Sequence, residues 1–175
     1  MDFTPAFFVD DDGSEPVLEW LRGLPGYKRR AAVAAIEEVL AHHGPGVCAT
    51  HWGKWVKGVR GIFELRVRFD YGTVMRTAGA DIPEDAACDA AERHGDILLR
   101  VFCHAYGDRV VLLLAGYDKG EDDSEKRQNK EAKLAESRLG RWQRRERAAA
   151  KQAARRGGSG KQSKSSGKSS RKRRS

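Results

Sequence analysis

Six side chains in the middle of the chain carry groups suited to phosphate chemistry: Arg66, Arg68, Arg100, His104, Tyr117 and Lys119. Guanidinium forks grip phosphate oxygens in pairs and suit the negative charge of a pentacoordinate phosphorane. His104 and Tyr117 could move protons, and Lys119 could neutralise a leaving oxygen. No cluster of carboxylates and no His/Cys spacing marks a metal site. Phosphodiester cleavage by this set is therefore expected to need no metal and no cofactor. Metal-free RNA cleavage uses the substrate's own 2′-hydroxyl as nucleophile, so the protein supplies only positioning, charge stabilisation and proton transfer. The plainer reading is a surface ladder in which the arginines pair with Glu64 or Asp70. Register decides between them, and register is open on sequence alone.

The elements that must position these groups are legible. In Ile62 to Asp70, Phe63, Leu65, Val67 and Phe69 alternate with Glu64, Arg66, Arg68 and Asp70, the period of a half-buried strand. Two further apolar runs flank Tyr106-Gly107-Asp108-Arg109, which predicts a hairpin with a tight type II′ turn. In its first strand Leu98, Arg100, Phe102, His104 and Tyr106 share one face. Its second, Val110 to Tyr117, is almost wholly apolar, as a central strand covered on both faces should be. Pairing the 63–69 strand antiparallel to 97–106 would set Arg66 and Arg68 beside Arg100 and His104, with Tyr117 and Lys119 at the end of the next strand.

The remaining segments frame this sheet. Residues 4–9 are β-prone but contain Pro5, which suits an edge strand. Ser14 is placed to cap a helix with Glu15 and Pro16 in its first turn and Val17, Leu18, Leu21 and Leu24 as its stripe. A second helix is expected from about Tyr27 to His43; its terminal His42-His43 pair is adjacent and does not converge on one ion. Lys54, Lys57 and Arg60 interleave with Trp52 and Trp55, the pattern of a substrate-binding nucleic-acid surface. Equally, both tryptophans could pack in the core above solvated lysines. Residues 71–96 read as an insertion. Ser124 can cap a last helix presenting Ala132, Ala135, Leu139 and Trp142. The order β-α-α-β-β-β-α predicts an α+β fold: a small antiparallel sheet with two N-terminal helices packed on it.

Charge is unevenly spread. The net charge is +8, but ten of the 33 Lys/Arg and none of the 25 acids lie in residues 151–175, leaving 23 bases against 25 acids before them. Residues 1–150 are expected to form one domain and 151–175 a disordered basic tail, because the tail has no side chain able to build a core. Three cysteines without metal spacing suggest reduced thiols in a cytoplasmic protein. No secretory leader and no apolar run near 18 residues is seen, so no membrane association is expected.

Gly61-Ile62-Phe63-Glu64-Leu65-Arg66, Leu99-Arg100-Val101-Phe102, Val110–Leu114, Gly116-Tyr117-Asp118-Lys119-Gly120 and the basic helix from Ser124, in that order, resemble phage-derived HigB-like toxins of the RelE/ParE superfamily of type II toxin–antitoxin systems. The similarity spans most of residues 3–142. It implies a RelE-like fold and a ribosome-dependent mRNA endonuclease that acts in the ribosomal A site and is inhibited by a cognate helix-turn-helix antitoxin. By motif, Arg66 and Arg100 match strand arginines of the family, and Lys119 matches a lysine after its last strand. Asp118 stands where many members carry a basic or neutral residue, which places a carboxylate inside the expected patch. Two other functions stay open: a ParE-like gyrase inhibitor, and a non-catalytic nucleic-acid-binding protein that uses its basic tail.

Overall fold

The computed structural model describes residues 2–77, 79 and 96–158. The chain divides into two compact units, Met1–Gly140 and Arg141–Ser175. The first is an α+β body around five strands: β1 (Thr4–Phe7), β2 (Gly53–Trp55), β3 (Phe63–Asp70), β4 (Asp96–Tyr106) and β5 (Val110–Asp118), in the order β1-β5-β4-β3-β2. Pairing is antiparallel throughout except that β1 runs parallel to β5, so the sheet is mixed rather than wholly antiparallel. Pro5 lies on that edge strand. β2 is an extra edge strand inside the basic, Trp-containing segment, too short to give an alternating signal of its own.

The inner face of the sheet carries the main core. Leu65 and Val67 of β3, Leu99, Val101 and Cys103 of β4 and Leu113 of β5 are fully buried there. Helix α1 (Pro16–Gly23) and α2 (Gly26–Ala34) cover this face. Helix α2 runs through a π-helical stretch, Ala35–Leu40, into the short α3 (Ala41–His43) and a 3-10 turn, Gly44–Ala49. The wide π turn coincides with buried Ala35, Ile36, Val39 and Leu40. Ser14 does not cap α1: its hydroxyl donates to Asp12 Oδ1 (2.6 Å), and Glu15 occupies the cap position.

Residues 71–96 begin with α4 (Tyr71–Thr77), which buries Tyr71, Val74 and Met75 in the core. This part of the expected insertion is thus structural; residues 78 and 80–95 lie outside the described residues. Asp70 starts α4 by accepting from the Thr73 amide (2.9 Å) and hydroxyl (2.6 Å). The β4–β5 turn has three residues, Gly107–Arg109, closed by the Tyr106–Val110 pair, rather than the two of a type II′ turn. Gly107 and Arg109 both have positive φ (54° and 64°). Arg109 is held there because its carbonyl accepts the Thr4 amide (2.8 Å), which ties the turn to β1.

The outer face is covered by the first part of α5 (Glu125–Gly158). Ser124 caps it, its hydroxyl accepting from the Arg127 amide (3.1 Å). Ala132, Ala135 and Leu139 are buried, and Arg138 Nη1 donates to the Leu114 carbonyl (2.7 Å). The helix continues through residues 151–158, eight positions past the expected domain boundary and into the tail expected to be disordered. Ala, Arg, Lys and Gln there are strong helix formers, a local preference that the lack of core residues does not cancel. Residues 159–175 lie outside the described residues. Among the described residues no helix is long and apolar enough to cross a membrane.

Candidate functional site

Alternation and register together build the outer face. Arg66 of β3 stands opposite Arg100 of β4, and Arg100 stands opposite Tyr117 of β5, so the three form one row across the sheet. The next row toward the end of β5 is Arg68 opposite Leu98, with the Lys119 amide bonded to the Leu98 carbonyl (2.7 Å). On the other side is Lys54 opposite Glu64, and Glu64 opposite Phe102. Rows on one face are two residues apart, roughly 7 Å. Arg66, Arg68, Arg100 and Lys119 therefore share one end of the outer face, as the sequence anticipated.

His104 is not part of that group. It lies four residues along β4 from Arg100, on the order of 13 Å, beyond a bulge between Phe102 and Cys103. Its Nδ1 is 2.7 Å from the Gly61 carbonyl, so Nδ1 carries the proton and donates it there. Lys57 and Arg60 are exposed on the β2–β3 connection, and Lys54 is exposed beside it. The two tryptophans divide between the two readings. Trp52 is 4% exposed in the core, while Trp55 is 52% exposed with its ring edge on Phe63 (5.6 Å).

Burial splits the arginine row. Arg68 is exposed and Arg66 half-buried, but Arg100 is only 4% exposed and Tyr117 only 1%. Tyr117 stacks on Phe102 (6.2 Å), and the Arg127 guanidinium of α5 lies over its ring (5.8 Å). Burial pushes the Tyr117 phenol up, Glu64 and Glu131 adding to the effect against Arg100 and Arg127, so it stays protonated at neutral pH. Arg100 donates Nη1 to the Leu99 carbonyl (2.9 Å). Burial lowers its pKa, Glu64 opposes this, and Arg66 and Arg68 reinforce it.

Glu64, the ladder partner expected from sequence, is the buried counter-charge of this face. It is buried, sits 3.3 Å from Arg66 Nε, and accepts a long hydrogen bond from Gln128 Nε2 (3.4 Å). The Arg66 contact is an ion pair without hydrogen-bond alignment, and Arg66 Nε makes no hydrogen bond. One carboxylate thus faces two guanidinium groups, which leaves the row with surplus positive charge. Asp70, the other expected ladder partner, is committed to Thr73 instead. Arg127 and Gln128 come from a helix some sixty residues away in sequence, and no local pattern could have placed them. An open groove of about 430 Å³ runs between residues 54–59 and α5, with Glu64 in its wall.

Asp118 lies outside the expected anion patch. It alternates with Tyr117 onto the inner face, where its carboxylate pairs with Lys28 of α2. Its Oδ1 also accepts the Gly120 amide (2.8 Å).

Compared with known proteins, the chain matches no family model and no curated protein.

Proposed function

We propose that the protein is the toxin of a type II toxin–antitoxin pair and cleaves mRNA on the ribosome without a metal ion. The observation that carries this reading is the opposition of Arg66 and Arg100, with Glu64 ion-paired to Arg66, next to Arg68 and Lys119. A face with more guanidinium than carboxylate favours a phosphate oxyanion, and a fixed charge beneath it stabilises the transition state without reorganising. In this reading Arg66, Arg68 and Lys119 meet the phosphate, and Arg100 acts from below. Lys54, Lys57 and Arg60 extend the contact along the RNA backbone. Tyr117, buried and protonated, orients the site rather than exchanging protons, and His104 serves only a nucleotide lying along β4. The resemblance to HigB-like toxins supports the same activity and names a helix-turn-helix antitoxin as the partner.

Burial of Arg100, and of Tyr117 beneath Arg127 of α5, favours a second reading, nucleic-acid binding without chemistry, which includes gyrase inhibition. Induced expression with mapping of transcript 5′ ends tests the choice. Codon-linked cuts that disappear in Arg66→Ala and Arg100→Ala support cleavage. Growth arrest with intact transcripts and broken DNA supports the gyrase reading, and absence of both effects leaves binding alone.

A further inference from the structure

The basic segment after the folded body is not featureless. From Arg144 to Arg156 the chain is helical and exposed at every position, and it contains six Lys/Arg against one acid, Glu146. At 3.6 residues per turn, Arg144, Arg147, Lys151 and Arg155 fall within one narrow stripe, about 16 Å long at 1.5 Å per residue. Neighbours in that stripe are three or four residues apart, the spacing at which like charges repel and weaken a helix. No acid stands three or four residues from them within residues 144–156 to relieve the repulsion, which a bound anion would do.

Two polyanionic surfaces could meet such a stripe. A membrane-bound helix needs large apolar side chains on its other face. Residues 143–156 offer only Ala and Gln besides their charges. A nucleic-acid backbone requires no apolar face; a row of cations that releases counterions suffices. We infer that residues 144–156 form a backbone-binding helix for double-helical nucleic acid, with Arg144, Arg147, Lys151 and Arg155 lying on successive phosphates. This goes beyond the proposed cleavage site and does not depend on it: the stripe anchors the chain by charge and reads no sequence.

The test compares two full-length variants that lose equal charge. One carries Arg144→Gln, Arg147→Gln, Lys151→Gln and Arg155→Gln; the other carries Lys161→Gln, Lys164→Gln, Lys168→Gln and Arg171→Gln. Binding to a 20-base-pair RNA duplex and to a DNA duplex of the same length is measured from low to high salt. The stripe variant is expected to weaken binding by roughly 100-fold or more near 0.1 M salt and to flatten the log K against log salt slope by about 3, with a clearly smaller loss in the second variant. Equal losses in both variants, or none in the first, overturn the inference. So does tighter, stripe-dependent binding to vesicles containing phosphatidylserine. RNA alone or DNA alone responding identifies which backbone is bound. Loss of transcript cleavage in Arg100→Ala with duplex affinity intact separates this helix from the sheet-face site.

Discussion

The buried carboxylate of Asp118 and the partly buried Lys28 form an ion pair between the end of β5 and helix α2, on the side of the sheet away from Arg66 and Arg100. The carboxylate next in sequence to Tyr117 therefore does not compete for the guanidinium groups of the outer face. Its work is to fasten α2 to the sheet, and the candidate anion face keeps its surplus charge.

Lys28→Met should destabilise the protein by about 3 kcal/mol, because it strands a buried carboxylate. Burial alone would lower the Lys28 pKa, but the hydrogen bond and charge of Asp118 outweigh it and raise it. A raised folded pKa gives stability that is complete below the unfolded value, about 10.4, and is lost as pH climbs through the folded value. Urea denaturation at several pH values should find the gap between wild type and Lys28→Met constant up to pH 9 and narrowing above pH 11.

Asp70 carries the opposite sign. Its hydrogen bonds from the Thr73 hydroxyl, outweighing the cost of burial, hold its carboxyl below the usual range. Its contribution is present above the unfolded pKa, about 3.9, and is lost as pH falls through the folded value. Asp70→Ala, which removes the cap of α4, should cost about 1 kcal/mol at pH 7, and thermal melts should find much of that difference gone near pH 2.5.

Arg100→Met should melt within a few degrees of wild type or above it. The exchange removes the cost of burying the Arg100 charge and its repulsion from Arg66 and Arg68, while Glu64, whose attraction is lost, keeps Arg66 as its partner. If Arg100 serves a phosphate, the same variant loses transcript cleavage while staying folded. A melting temperature far below wild type with unchanged cleavage would make Arg100 structural.

Cys103 is fully buried, and burial pushes its thiol far above the usual range. In native protein it should react with a thiol reagent only on unfolding, whereas in denaturant it should react at once. Its raised pKa also removes stability as pH rises above the unfolded value of about 8.5. Cys103→Ala should flatten that alkaline decline in a denaturation series.

Gly116 tests the packing of α1 on β5. A Cβ there would come within 2.4 Å of the Trp20 ring, so the ring or the helix must shift. Gly116→Ala should lower stability by about 1–3 kcal/mol through overpacking, read as a fall in the denaturation midpoint without a change in slope.

The sequence by itself determined what depends on periodicity. Phe63, Leu65, Val67 and Phe69 alternate, so β3 and its charged face were legible; so were the hairpin, the α1 stripe and the Ser124 cap, each a property of neighbouring residues. It also determined that Arg66, Arg68 and Arg100 lie mid-strand or near it on polar faces. Only the tertiary structure decided the rest, because each point turns on residues far apart in the chain. Register set Arg66 opposite Arg100 and Arg100 opposite Tyr117. Long-range partners placed Asp118 on Lys28 and Gln128 on Glu64. Packing against the core buried Trp52 and left Trp55 exposed, although the two share one local pattern. The parallel β1–β5 pairing arises where Arg109 meets Thr4, over a hundred positions away. α5 then laid Arg127 over the Tyr117 ring, which no local signal in either segment foretells.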